Sequence, residues 1–264
     1  ADTVVITRGD GFADALAGAP LAYKYDAPIL LTKKNTMNDD IQKDIKRLGA
    51  SKAIILGGTE AVSSYVNYQL KGLGLKVERI SGEDRFETAA NIAARLDGNP
   101  EKAIVANGLS FPDALAIAPY AAKNGFPILL TDKDELPKDT KRVLQDFNES
   151  IVVGGTAVVT DKLLDQLPNA KRVGGENRFE TAANVALLNE STNAAFVSTG
   201  MDFADALSGS VLAAKRDAVS LLVKQEEVPT STEKAYDELG INQLYLLGGT
   251  SAVSEKVKEQ LIAK

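Results

Sequence analysis

The chain contains no cysteine and no histidine among its 264 residues. Those two absences remove disulfides, thiol nucleophiles, Cys/His metal sites and Ser-His-Asp triads together. An enzyme written in this alphabet would have to work with Asp, Glu, Lys, Tyr or Ser. Losing every cysteine fits export without disulfides and equally fits a cytosolic protein. Basic charge is also short: the net charge of −6 leaves no surplus to neutralise phosphates, which argues against nucleic acid as a partner. No stretch approaches the roughly 20 consecutive apolar residues of a membrane span, and residue 1 does not open a signal peptide. We therefore expect a soluble chain without membrane insertion, from which a leader could have been removed before Ala1.

What is present is ordinary in amount, 44% apolar and 25% charged, and unusual in order. Four signatures recur. A small-residue segment reads GFADALAG at 11–18, SFPDALAI at 110–117 and DFADALSG at 202–209. An apolar strand follows: DAPILLT (26–32), GFPILLT (125–131) and DAVSLLV (217–223), the last without the Pro, Ile and Thr. Next come IILGGTEAVS (54–63), IVVGGTAVVT (151–160) and YLLGGTSAVS (245–254). The fourth signature appears twice, as ISGEDRFETAANIA (80–93) and VGGENRFETAANVA (173–186).

Counted from that fourth signature, the units are 1–81, 82–174 and 175–264, and the second and third hold 93 and 90 residues. This period is far above the 20–50 residues of solenoid repeats, so each unit is a small domain. Within a unit, continuous apolar strands alternate with helices. In the first, TVVIT is a strand and Phe12–Tyr25 a helix. PILLT is the next strand, and NDDIQKDIKRLG is an amphipathic helix with Ile41, Ile45 and Leu48 on one face, stopped by Gly49. KAIIL, a helix capped by Ser63, and the more polar strand KVERI complete it. Such alternation implies a parallel sheet covered on both faces. The expected fold is a doubly wound α/β unit of the Rossmann or flavodoxin kind, three times in tandem.

Each motif has a structural and a functional reading. Gly11, Ser110 or Asp202 stands at an N-cap position with Asp14, Asp113 or Asp205 three residues later, which resembles a capping box favoured by the helix dipole. Those aspartates would also sit at the carboxyl end of the first strand, where open α/β sheets bind ligands. Pro20 and Pro119 should bend the helix they interrupt. The GGT loops could cradle a phosphate, but neither G-x-G-x-x-G nor G-x-x-x-x-G-K-[ST] is present. A glycine pair leading to the N-caps Ser63, Thr160 and Ser254 suffices as a structural reason. Arg85 and Arg178 place a cation at the positive end of a helix, a locally unfavourable choice made twice. That points to a carboxylate elsewhere in the fold or to an anionic ligand.

The ordered set FADALAGAPLA, PILLT, ILGGTEAVS and ERISGEDRFETAANIA, with its later copies, resembles the type-2 cell-wall-binding repeat of Gram-positive surface and S-layer proteins. The resemblance spans essentially the whole chain. It implies three modules in a pseudo-threefold ring that anchor a secreted protein at the cell surface by binding an anionic wall polysaccharide or teichoic-type polymer. It also implies an effector domain as the partner joined to the anchor. The candidate polysaccharide-binding residues are Arg85, Arg178, Asp14, Asp113, Asp205, Asp84, Thr88 and Thr181. No cofactor, metal or catalytic residue is expected, and no calcium loop of EF-hand form is visible. The competing reading is a carbohydrate- or nucleotide-active α/β enzyme using the helix-start aspartates.

The unit arithmetic adds three expectations. A further G-x-D-R segment should precede Ala1, because the first unit lacks that signature. The third unit, lacking a closing polar strand, should show an exposed sheet edge or a shortened interface with the first. Arg85 and Arg178 should lie at seams between modules, where an arginine fork and free backbone N–H groups could meet an anion.

Overall fold

Runs such as VVIT, AIIL and IVV are apolar on both faces, so they can only be buried between two layers of helices. The computed structural model, which describes residues 1–264 apart from Asn99, Glu190, Ser191 and Lys264, builds three such layered modules. The first comprises β1 (Thr3–Arg8), α1 (Gly18–Lys24), β2 (Ile29–Thr32), α2 (Asp39–Leu48), β3 (Lys52–Leu56), α3 (Ser64–Gly72) and β4 (Lys76–Ile80). Helix α4 (Arg85–Ala93) leads to the second: β5 (Lys102–Asn107), α5 (Pro112–Asn124), β6 (Ile128–Thr131), α6 (Lys138–Leu144), β7 (Glu149–Val153), α7 (Asp161–Leu164) and β8 (Ala170–Val173). Helix α8 (Arg178–Ala186) leads to the third: β9 (Ala194–Thr199), α9 (Ala204–Lys215), β10 (Val219–Val223), α10 (Thr230–Glu238), β11 (Gln243–Leu246) and α11 (Glu255–Ile262).

All strand pairs are parallel. The sheet orders are β2-β1-β3-β4, β6-β5-β7-β8 and β10-β9-β11. Each order reverses direction beside its first strand, which makes the crevice beyond β1/β3, β5/β7 and β9/β11 a topological switch point. The third sheet has three strands among the described residues, and β11 is its edge, as expected of a unit without the polar strand. Despite its altered sequence, β10 is buried along its whole length.

Helices α1, α5 and α9 gather at the centre in one apolar cluster that includes Leu16, Leu21, Leu115, Ile117, Leu207 and Val211. At their entrances Phe12, Phe111 and Phe203 form a triangle with ring centroids 5.5, 5.8 and 6.0 Å apart. The repeated Phe therefore marks a pseudo-threefold axis, and tilted ring contacts of this kind stabilise beyond their buried area. Helix and strand sizes are matched across the repeats. Gly18 and Gly209 lie so close to Leu56 and Leu247 that a Cβ would collide with them, whereas Ile117 takes the same helix position opposite the smaller Val153. Total volume at the helix–sheet contact is kept, as close packing demands.

Other local expectations fare unevenly. Helix α2 is capped by Asn38, whose side chain accepts from Ile41 N–H at 3.0 Å, and Gly49 ends it at φ 66°. Ser63, Thr160 and Ser254 do occupy the N-cap positions, although only Ser254 accepts a capping bond, from Val257. The capping boxes at Gly11, Ser110 and Asp202 do not form: the caps are Ala17, Phe111 and Phe203, none with a side-chain cap bond. Helix α1 begins at Gly18 and not at Phe12. Residues 12–18 make tight i→i+3 turns, Ala15 N–H to Phe12 O and Gly18 N–H to Ala15 O. Module 2 starts its helix early because Pro112 pre-sets the first helical φ, and Asp202 helps α9 by accepting from Phe203 and Ala204 N–H. Module 1 has neither aid. Pro20 accordingly sits harmlessly in the first turn of α1, while Pro119 is carried inside the continuous helix α5.

Candidate functional site

The switch-point crevice collects the repeated motifs. The turn after β1 delivers Asp14, the start of α5 delivers Asp113 and the start of α9 delivers Asp205. Opposite each stands the first glycine of GGT, with φ of 100°, 113° and 97° at Gly57, Gly154 and Gly248. Only glycine takes that conformation without strain. A Cβ there would also lie 2.6 Å from Asp14 Oδ2 or Asp113 Oδ2, and would collide with Asp205 Oδ2 in the third copy. The first glycine is thus required twice over, by its own dihedral and by the aspartate laid against it.

The third side of the crevice is the loop after the fourth strand. In module 1 it brings Asp84 and Arg85 to Asp14 and Gly58, around a cleft of about 400 Å³. In module 2 it brings Arg178 and Thr181 to Asp113 and Gly155, around a smaller cleft of about 110 Å³. Asp205 in module 3 faces Gly248 without an arginine loop among the described residues.

Both arginines do stand at seams. Arg85 Nη1 crosses to the Gly108 carbonyl at 2.8 Å, and Arg178 Nη1 to the Gly200 carbonyl at 2.6 Å. Arg178 also lies 5.7 Å above the Phe111 ring. Their partners are carbonyls of the next module and not a helix-start aspartate, and Nε and Nη2 of each guanidinium make no hydrogen bond to a described residue.

Burial pushes the Asp113 carboxyl up to about 6, against the opposing pull of Arg178. Asp205 is raised as well, first by burial and then by the neighbouring Asp202 carboxylate.

The remaining sequence candidates shape the loop. Asp84 accepts from Phe86 and Glu87 N–H at 2.9 Å each, and Asn177 does the same for Phe179 and Glu180 at 3.0 and 3.1 Å. Glu87 and Glu180 reach back to Glu83 and Glu176 N–H. Thr88 and Thr181 are buried and accept from Gly82 and Gly175 N–H. Of the helix N–H groups expected to be free for an anion, those of Phe86, Glu87, Phe179 and Glu180 are therefore already satisfied by side chains, and the guanidinium is the charged group placed to meet one.

Two contributors are silent in the sequence. Arg79 Nη1 donates to the carbonyls of Gly57 and Gly58 at 2.6 and 3.1 Å, and Arg172 Nη1 to Gly154 at 2.8 Å. They tie the fourth strand to the GGT loop, and their one signal is an identical offset six residues before Arg85 and Arg178. The three phenylalanines likewise recur as a motif whose role only the fold supplies. Among the described residues no group of three or more His, Cys, Asp or Glu side chains is arranged to hold a metal ion, and no helix is long and apolar enough to cross a membrane.

The sequence and the fold are similar to those of known proteins. N-acetylmuramoyl-L-alanine amidase LytC of Bacillus subtilis is 39% identical over 264 residues, covering 99% of this chain and 53% of the relative. The amidase enhancer of the same organism is 35% identical over 267 residues, covering 98% of this chain and 36% of its own length. The solved structure of Cwp8 from Clostridium difficile superposes with a TM-score of 0.90 at 33% identity, over 100% of this chain and 47% of that one. Cwp6 from the same organism gives 0.89 at 31%, over 95% and 42%. The chain thus spans about half or less of the proteins it matches. The model of Cell wall binding domain 2 matches three times, over residues 1–67, 79–164 and 172–258, one copy on each sheet; the chain belongs to that family, and it is a cell-wall-binding module.

Proposed function

We propose that this chain anchors a surface protein non-covalently by holding an anionic secondary wall polysaccharide, or a teichoic-type polymer, in the clefts at its module seams. The observation that carries this is the cleft of Asp, Gly-Gly and Arg built twice from the same sequence, Asp14–Gly58–Arg85 and Asp113–Gly155–Arg178. Each guanidinium spends one nitrogen on the neighbouring module and retains Nε and Nη2, a fork suited to phosphate or carboxylate. Among the described residues, each guanidinium is the one cation lining its cleft, beside acidic side chains. Repeated sites on one rigid body suit a repeating polymer, because contacts that are individually weak combine by effective concentration. We further propose that the chain is not itself an enzyme, that catalysis or adhesion resides in an effector domain joined to it, and that the whole is secreted to the cell wall. No observation favours the alternative of an α/β enzyme using the helix-start aspartates.

Co-sedimentation with protein-stripped walls tests this. Retention should survive deproteinisation and disappear once wall glycopolymers are chemically removed; indifference to that removal refutes the proposal. Arg178→Lys keeps the charge and loses the fork, so wall affinity should fall about tenfold, roughly 1.4 kcal/mol, measured well below the melting temperature. If only the melting temperature drops and affinity holds, Arg178 is a seam residue alone and the site assignment is wrong.

A further inference from the structure

Among the described residues the exposed aromatic side chains are Tyr65 and Tyr68, 57% and 72% exposed, and both stand on α3. Three residues apart, they share one face of the helix. Their rings are near-parallel, with 19° between the planes and 6.3 Å between the centroids. At that separation the rings are offset and not overlapped, so their faces stay open to solvent. Gly72 continues the same stripe, and its Cβ position is open space. Lys71, one turn beyond Tyr68, is exposed and makes no ion pair to a described residue.

The repeat shows that packing does not call for these rings. Counted from the GGT loops, Tyr65 corresponds to Lys162 and Lys256, and Tyr68 to Asp165 and Glu259, all of them exposed. The buried face is the same in each copy: Val66 and Leu70, Leu163 and Leu167, Val257 and Leu261. Ser64 likewise stands where the other copies begin the helix with Asp161 and Glu255. Module 1 thus exchanges a charged outer face for two rings and removes every carboxylate from the helix, leaving Lys71 as its one charge. The fold gains little from this, since an i,i+3 ring pair adds only slightly to a helix already held by its buried side. A binding surface gains much, because tyrosine offers large, rigid, amphipathic contact area at low entropic cost.

We propose that α3 is an aromatic platform on which sugar rings of the wall polysaccharide stack where the polymer leaves the cleft of module 1. This rests on the reading that the polymer occupies that cleft. Continuity supports it: Glu60 and Ala61 line the cleft, and Tyr65 follows Ala61 by four residues, so their Cα atoms are no more than about 15 Å apart. Tyr68 stands about 5 Å further along the helix axis. The charges agree as well. Glu60 is engaged by Lys34 at 2.8 Å, and a helix free of carboxylates and carrying Lys71 suits a polyanion. A pyranose ring presents a flat face of C–H bonds to the negative face of an aromatic ring, while its hydroxyls stay in water or meet the phenol oxygens. A glycerol- or ribitol-phosphate backbone has no such face. The platform therefore selects polysaccharide over a teichoic-type polymer, and it does so in one module of the three.

Calorimetric titration with polysaccharide extracted from protein-stripped walls tests this. Tyr65→Ala/Tyr68→Ala should weaken binding at least about tenfold, as loss of two stacking rings does elsewhere. Tyr65→Phe/Tyr68→Phe keeps both rings and should keep most of the affinity. Lys162→Ala/Asp165→Ala, at the same positions of module 2, should stay within about twofold of the parent. Synthetic poly(glycerol phosphate), which has no sugar ring, should bind the double alanine variant as it binds the parent. All six positions substituted are exposed or lie on the outer helix face, and circular dichroism checks that each variant is folded. If the double alanine variant holds the polysaccharide with parent affinity while Arg85→Lys weakens it, the platform is overturned and the seam reading stands. If neither substitution has an effect, the seam reading falls too. A phenylalanine variant as weak as the alanine variant, or an equal loss toward poly(glycerol phosphate), overturns ring stacking. Unchanged polysaccharide affinity with loss of self-association makes the pair a contact between copies of the chain and overturns the proposal.

Discussion

Asp113 offers the sharpest test of how the clefts are built. The residue is 6% exposed, and its carboxyl accepts no hydrogen bond from a described residue and is pushed by burial to about 6. In the unfolded chain it would titrate near 3.8. Below about pH 4 both states carry the proton and the group contributes nothing. Between about pH 4 and 6 the folded state holds a proton that the unfolded state has released, so stability falls as pH rises. Above 6 both are ionised and the penalty is constant, about 3 kcal/mol, since each tenfold change in an acidity constant is worth roughly 1.4 kcal/mol. Asp113→Asn cannot ionise. Its stability relative to the native chain should therefore climb from near zero at pH 4 to as much as about 3 kcal/mol at pH 7, or about 5–10 °C in melting temperature. Urea unfolding followed by circular dichroism at pH 4–8 measures this, and the absence of tryptophan makes dichroism the natural signal. A difference that stays flat across the window would refute the claim that the folded carboxyl is desolvated.

Two further expectations concern the centre and the loops. Phe111→Ala removes contacts to both partner rings and should cost about 3–4 kcal/mol, with Phe12→Ala/Phe111→Ala less than additive; a loss below about 1 kcal/mol would mean that the triad does not hold the modules together. Gly248→Ala meets both a positive φ and the Asp205 carboxylate, so it should destabilise by more than about 1 kcal/mol. Gly249→Ala, with no atom within 4 Å of the added Cβ, should stay within about 0.5 kcal/mol, and equal effects would contradict the loop geometry.

Repetition made the architecture legible before any coordinates. Three ordered copies of strand and helix patterns required three parallel-sheet modules, because hydrophobic periodicity is local and survives in the sequence. The same applies to Gly49 at the end of α2, and to the seam position of Arg85 and Arg178, which begin the helices between units. Only the tertiary structure decided what those residues touch. The capping-box reading of Asp14, Asp113 and Asp205 failed because their partner is a glycine loop some forty residues away in the chain, and spacing along a helix carries no information about it. Two of the free N–H groups expected beside Arg85, those of Phe86 and Glu87, are taken by the Asp84 side chain, a satisfaction that depends on loop conformation. Arg79 and Arg172 were ordinary polar strand residues until the fold laid them across GGT. The three phenylalanines, about a hundred residues apart in the chain, acquire their common purpose only where three helices converge on one axis, since packing is a property of the space between elements and not of any one of them.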